Sequence, residues 1–501
     1  MRCISKAAFA AVTSFCLIGA AAAADLPAKA PSAVAPVPAW NWSGLYAGVN
    51  AGGGFGDPAL TTNSSSPLAL ENFFATTTHP SMLGFIGGGQ IGFNWQFAPM
   101  WLAGVEADFQ GADQKGTTTT AFTFPGEPAS DTASVKLKWL GTVRGRLGLL
   151  TNADETLWYV TGGLAYGGVD MALSSSNFIF PANAVGTTTF SHTKTGWTLG
   201  GGVEEHLFGN WTAKVEYLYV DLGSVQDTAQ AFLVAGVPPA TAITAHADLR
   251  DHIVRAGLNY KFWDWPAGRP TVAAMAAAPW NWSGSYAGFN VGGSVADTAL
   301  AESSTSPLGN FSFISSTTHA SATGIVGGGQ IGTNWQFAPA WLAGIEADFQ
   351  GTDQKSTSTF AWTFPGQTSS DTVSVKTKWL GTVRGRFGFL TNNGANLWYA
   401  TGGVAYGRTD LSLASNNFVF ATAPAAATFT HDKVGWTVGG GLESHLVGNW
   451  TGKLEYLYVD LGSVTDTAQG FNGPGLIATS ITAHADLRDH IVRAGVNYKF
   501  W

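Results

Sequence analysis

The sequence predicts an all-β chain of transmembrane, antiparallel, up-and-down β-barrels: two tandem eight-stranded barrels, with one sixteen-stranded barrel as the alternative. Three observations carry this. The chain repeats at the scale of a whole domain, each repeat holds eight segments of alternating polarity, and the connections between segments alternate between long and short. Composition agrees. Only 12% of the 501 residues are charged and 64 are glycine, which excludes a coiled coil and a solvated disordered chain. Apolar and polar residues nearly balance, as in a sheet with one oily and one polar face. The net charge of −8 argues against a nucleic-acid partner.

Residues 1–24 have the form of a signal peptide. Arg2 and Lys6 precede an apolar stretch that ends in Ala22-Ala23-Ala24, so cleavage after Ala24 is expected, with an uncleaved anchor helix as the alternative. Both cysteines, Cys3 and Cys16, lie in this leader, which leaves the mature chain without a thiol or a disulfide. Residues 25–39 form a Pro/Ala-rich segment expected in the periplasm. Trp40-Asn41-Trp42-Ser43-Gly44 recurs as Trp280-Asn281-Trp282-Ser283-Gly284, and Arg144-Gly145-Arg146 recurs as Arg384-Gly385-Arg386. The first barrel repeat is therefore expected at 40–263, a linker at 264–279 and the second repeat at 280–501.

In the first repeat the expected strands are 45–56, 83–97, 101–112, 135–149, 157–169, 195–207, 211–224 and 245–262. The long connections near 57–82, 113–134, 170–194 and 225–244, rich in Thr, Ser, Ala and Asn, read as loops. The short connections fall near 98–100, 151–156 and 208–210. Parity separates two faces. Trp101, Ala103, Val105, Ala107 and Phe109 oppose Glu106, Asp108 and Gln110; Val135, Leu137, Trp139, Val143 and Leu147 oppose Lys136, Lys138, Arg144 and Arg146. A soluble sandwich would bury the apolar set. Against that, Trp95, Trp101, Trp158, Trp211 and Tyr260 gather beside the short turns, where an interfacial girdle belongs. The final strands also keep a strict apolar face, which hydrocarbon can receive only from a closed sheet.

The polar faces assemble a charge cluster inside each repeat: Glu106, Asp108, Glu204 and Glu216 against Arg144, Arg146, Lys214 and Arg255, and then Glu346, Asp348, Glu443 and Glu455 against Arg384, Arg386, Lys453 and Arg493. Four acids balanced by four bases suit a narrow, polar-filled interior better than a channel, since buried charges persist only when paired. A linker of this length also suits two barrels side by side. In one sixteen-stranded wall the same residues would line a pore.

Little else suggests chemistry. Gly87-Gly88-Gly89 is followed by no Gly-Lys-Ser/Thr and lies mid-strand, so it reads as relief of crowding in a curved wall, not as a phosphate loop. The histidines pair between repeats without close ligand spacing. His246, with Asp248 and His252, is the set from which haem or ligand capture by loops would be built, against the plainer reading of solvated rim residues. No Ser-containing elbow or His-Ser pattern marks a nucleophile, so an enzyme is not expected, nor a cofactor or a structural metal.

The first strand Trp42-Ser43-Gly44-Leu45-Tyr46-Ala47-Gly48, the second-strand run Gly87-Gly88-Gly89-Gln90-Ile91-Gly92, the Ala24-Asp25-Leu26-Pro27 start and the terminal Tyr498-Lys499-Phe500 resemble the small outer-membrane β-barrel porin family of Gram-negative bacteria, the opacity-like surface antigens. The resemblance runs once through each repeat. It implies eight-stranded barrels in the outer membrane, inserted by the barrel assembly machinery reading the last strand, with Tyr498, Phe500 and Trp501 as the assembly signal. Two departures are visible: Trp501 follows Phe500, and one chain carries two repeats. The expected role is structural and surface contact through the long loops, with outer-membrane lipid and lipopolysaccharide as partners. The alternatives are a diffusion porin, the one case with small polar solutes as partners, and ligand capture by the loops.

Overall fold

A computed structural model describes residues 40–66, 70–124, 127–176, 185–231, 241–265, 280–305, 312–364, 367–416, 425–470 and 479–500. The expected signal peptide, the segment 25–39, all but the first two residues of the expected linker, and Trp501 lie outside them. The first copy is built of β1 (Gly44–Gly56), β2 (Leu60–Ser66), β3 (Leu70–Thr78), β4 (Met82–Ala98), β5 (Trp101–Ala112), β6 (Lys115–Phe124), β7 (Glu127–Thr151), β8 (Thr156–Ser176), β9 (Val185–Phe208), β10 (Trp211–Ala231) and β11 (Thr241–Asp264). The second copy follows with β12 (Gly284–Thr305), β13 (Ser312–Ala338), β14 (Trp341–Thr352), β15 (Lys355–Phe364), β16 (Gln367–Thr391), β17 (Asn396–Asn416), β18 (Ala425–Val447), β19 (Trp450–Gly470) and β20 (Thr479–Lys499), with one turn of 3-10 helix at Asn392–Gly394.

Each copy contains the eight long strands that alternation marks. The antiparallel ladder runs β1–β4–β5–β7–β8–β9–β10–β11 and returns from β11 to β1, with Ala51 opposite Ala256. The second copy repeats the circuit through β12, β13, β14, β16, β17, β18, β19 and β20, with Val291 opposite Ala494. Among the described residues no ladder joins β1 to β20.

The long connections differ from expectation. Their described residues are largely strand: β2, β3 and β6 form within them, and β7 to β11 run well past the expected ends. Their Thr-rich composition reads as loop, yet β-branched Thr suits a pleated, half-solvated surface. Thr-to-Thr hydroxyl contacts such as Thr228 to Thr244 at 2.9 Å tie neighbouring strands there.

Polarity reverses along the strands. Near the short turns, Val105, Phe109, Val143, Leu147, Val160 and Leu164 are exposed while the charged residues face inward. Toward the long hairpins, Val135, Leu137, Val169, Met171, Leu173, Val225, Leu249 and Ala245 are buried in one apolar cluster, and the outward positions are polar. Strand β11 makes the change without an irregularity. Its outward residues run from Leu258 and Ala256 to Arg250, Asp248 and His246, and its inward ones from Asn259 and Arg255 to Ile253, Leu249 and Ala245. Strand β7 makes it with a bulge. Leu137 pairs with Val169 and Trp139 with Gly168, so Lys138 is an extra residue that flips the parity. Lys136 and Lys138 therefore face outward, and Val135 and Leu137 inward, the reverse of their sequence assignment, whereas Arg144 and Arg146 point inside as assigned. A second irregularity, between Asp221 and Ser224 on β10, has Gly223 at φ 73°, a left-handed conformation that glycine adopts without a Cβ clash.

Candidate functional site: a sealed charge network

The interior of each copy is layered. At the short-turn end Trp42, Leu102, Leu150 and Leu157 form an apolar plug, and the Trp42 indole donates to the Asp154 carbonyl at 2.6 Å. Trp282 repeats this on the Gly394 carbonyl at 2.6 Å. The apolar cluster of the extended strands forms the opposite layer. Between them lies the charge network.

Register explains why the charged residues meet. Glu106 on β5 is opposite Arg144 on β7, Lys214 on β10 is opposite Glu204 on β9, and Glu216 on β10 is opposite Arg255 on β11, all on inward parity. All sixteen residues picked out by sequence are buried; none exceeds 4% exposure. The Arg144 guanidinium spans three carboxylates: Nη2 reaches Glu106 at 2.5 Å and Asp108 at 3.0 Å, and Nη1 reaches Glu216 at 2.9 Å. Lys214 donates to Glu106 at 2.7 Å, and Arg255 to Asp108 at 2.8 Å and Glu216 at 2.6 Å. Arg146 pairs with Glu204 at 2.5 Å, its guanidinium carbon 4.2 Å from the centre of the Tyr159 ring.

The second copy reproduces the network. Arg384 contacts Glu346 at 2.6 Å, Asp348 at 2.9 Å and Glu455 at 2.8 Å; Arg386 contacts Glu443 at 2.7 Å, Lys453 contacts Glu346 at 2.8 Å, and Arg493 contacts Asp348 at 2.8 Å. Such multiply bonded pairs are the arrangement in which buried charges become tolerable.

Sequence reasoning missed the neutral members. The Tyr46 hydroxyl donates to Glu106 at 2.7 Å, Tyr159 to Glu216 at 3.0 Å, and Thr142 to Asp108 at 2.8 Å. Their shared parity with the charged set is the signal that could have found them. Gly92 and Gly202 make the room: a Cβ on either would lie 2.3 Å from the Tyr46 hydroxyl or 2.7 Å from that of Tyr159.

The other candidates do not converge. His246 contacts Asp248 at 3.4 Å on an outward, partly exposed face, while the Tyr217 hydroxyl lies 2.7 Å from Nδ1 of His252. Six residues apart on one strand, the two imidazoles are separated by about 20 Å. At the C-terminus Tyr498 and Phe500 are exposed on the apolar outer face of the second copy.

An exposed apolar belt of this extent around a closed sheet with an ionic interior is the surface a lipid bilayer covers. Comparison with known proteins agrees. The model of the outer membrane protein beta-barrel domain matches residues 7–262 and again 269–500. The chain is 38% identical over 249 residues to the 31 kDa outer-membrane immunogenic protein of Brucella melitensis, covering 48% of this chain and 93% of the relative. It is 31% identical over 195 residues to the 22 kDa outer membrane protein of Rhizobium leguminosarum bv. viciae, covering 38% and 69%. The crystal structure of OprG from Pseudomonas aeruginosa is similar over 44% of this chain and 98% of that one, at 13% identity and a TM-score of 0.28. The chain belongs to the outer membrane protein beta-barrel family, carries its domain twice, and is a protein of the Gram-negative outer membrane.

Proposed function

We propose that the chain is a non-enzymatic structural and surface-contact protein of the outer membrane, built as two separately closed eight-stranded barrels with no open pore. The observation that carries this reading is the three-layered interior: an apolar plug, a self-balanced charge network and an apolar core follow one another within each copy. The closing ladders β1–β11 and β12–β20 support separate closure over a single sixteen-stranded wall. Outer-membrane lipid and lipopolysaccharide contact the apolar belt. The extended polar hairpins carry the contacts beyond it, and the barrel assembly machinery reads Tyr498, Phe500 and the terminal Trp501.

Reconstitution into planar lipid bilayers tests the reading. Folded protein is expected to give no stepwise conductance of porin size, and reproducible large steps would overturn it.

A further inference from the structure

The long-hairpin ends hold an unusual seam. In the first copy β2 pairs with β3 and β6 pairs with β7, but no ladder joins β3 to β6 among the described residues; only hydroxyls meet there, Thr78 and Thr118 at 2.9 Å. Each of these edges pairs instead with the second copy. Residues 74–77 of β3 pair with 359–362 of β15, and residues 118–122 of β6 pair with 314–318 of β13. The two ladders are equivalent, since Thr77 opposite Thr359 maps onto Thr317 opposite Thr119 when the copies are exchanged. Side chains follow the same exchange: Ser81 donates to Asp297 at 2.5 Å, and Ser321 donates to Asp57.

We infer that the two copies form an isologous pair about a local two-fold axis, each copy sealing the open β-edges of the other, so that the partner fitted by this surface is the sister copy in the same chain. Self-complementary contact, in which i meets j and j meets i, is the mark of a two-fold interface. Unpaired edges are a liability that β-pairing removes. The copies have also diverged where they touch. At the short-turn end Asn396 of the second copy donates to Thr156 at 2.8 Å, and Trp398 donates to Glu205 at 2.6 Å. Their counterparts differ: Thr156 stands where the second copy has Asn396, Ser444 where the first has Glu205, and the Trp158 indole nitrogen is buried without a partner among the described residues. The face is two-fold in backbone and hetero-specific in side chain, which favours first copy against second.

This inference rests on separate closure of each copy, and the test distinguishes the two. In outer membranes carrying the full chain, three cysteine pairs are introduced singly: Thr77→Cys with Thr359→Cys, Thr119→Cys with Thr317→Cys, and, within the first copy, Ala51→Cys with Ala256→Cys. Residues directly opposite in an antiparallel ladder suit a disulfide. All three bonds are expected to form at the mass of a single chain. Failure of both inter-copy bonds, while the Ala51/Ala256 bond forms, overturns the pairing alone. Failure of the Ala51/Ala256 bond overturns separate closure and the pairing with it. Inter-copy bonds at twice the chain mass overturn pairing within one chain.

Discussion

The belt near the short turns and the extension toward the long hairpins are cut from the same strands yet are folded inside out relative to each other. In the belt the apolar side chains Val105, Val143 and Leu164 face out and Arg144 and Glu216 face in; in the extension Val135, Val169 and Leu249 face in, and Lys136, Asp170 and Arg250 face out. The backbone geometry is common to both. What differs is the surrounding medium: hydrocarbon rewards an oily exterior and water a polar one, and each wall turns the complementary face to its own interior. The network pays for this inversion with buried charge, while the extension uses an ordinary hydrophobic core.

The bulge that separates the two regions on β7 is the most sensitive point. Deleting Lys138 alone is expected to leave Val135 and Leu137 inward on a now regular ladder. Deleting Lys138 and Trp139 together shifts the strand by one more residue, turning Val135 and Leu137 outward and placing Lys136 in the core. Losing two buried aliphatic side chains, at about 1.5–3 kcal/mol each, and burying an ammonium should unfold the extension of the first copy. Protease digestion in intact membranes would show new cleavage within residues 127–137 while the belt stays protected.

Arg144→Ala strikes the belt. It leaves Glu106, Asp108 and Glu216 short of a shared partner in a sealed interior, with an expected loss of about 3–5 kcal/mol in urea unfolding from lipid vesicles. Arg384→Ala should do the same to the second copy.

A matched pair of surface changes follows in size. Val143→Arg places a cation on the lipid face and should cost about 2–4 kcal/mol, whereas Thr228→Arg on the exposed face of the extension should stay within about 0.5 kcal/mol of zero. Equal costs in the same unfolding assay would erase the distinction between the regions.

The smallest effect separates the two copies. In the extension of the second copy Glu302 is buried, neither carboxylate oxygen has a hydrogen-bond partner among the described residues, and burial, helped by the negative Asp371, pushes its pKa up to about 8. The first copy has Thr62 at the corresponding place. Because the folded form holds the proton more tightly than the unfolded form, stability is complete below the ordinary carboxyl range. It falls as pH rises from about 4.3 toward 8, by up to about 1.4 kcal/mol per pH unit. Hydrogen-exchange protection factors of β12 and β13, corrected for the intrinsic pH dependence of exchange, should fall over that window and stay level in Glu302→Gln; pH-independent protection in the wild type would contradict the assignment.

The belt was legible in the sequence because one medium touches one face throughout. The period-two pattern of Trp101 to Phe109, or of Val254 to Phe262, can be read without coordinates, and the same parity collected the sixteen charged residues that the structure buries. The extension was not legible. Its Thr- and Ser-rich composition is shared by loops and by solvated strands, and composition alone does not separate the two. The extra residue Lys138 leaves no mark in the pattern, because its parity flip coincides with the reversal of polarity, and Val135, Leu137, Trp139, Val143 and Leu147 all stay at odd positions. Tyr46 and Tyr159 were missed because a tyrosine serves equally at a lipid interface and as a buried hydroxyl donor.

A single-cysteine scan along β11 tests the inversion most directly, since between residues 245 and 258 that strand crosses from one region to the other with unbroken alternation. Probes at 254, 256 and 258 should be quenched from lipid only, probes at 246, 248 and 250 from water only, and thiols at 245, 247 and 249 should resist water-soluble maleimide. Ready labelling of 245, 247 and 249 would mean a water-filled interior and would contradict the account.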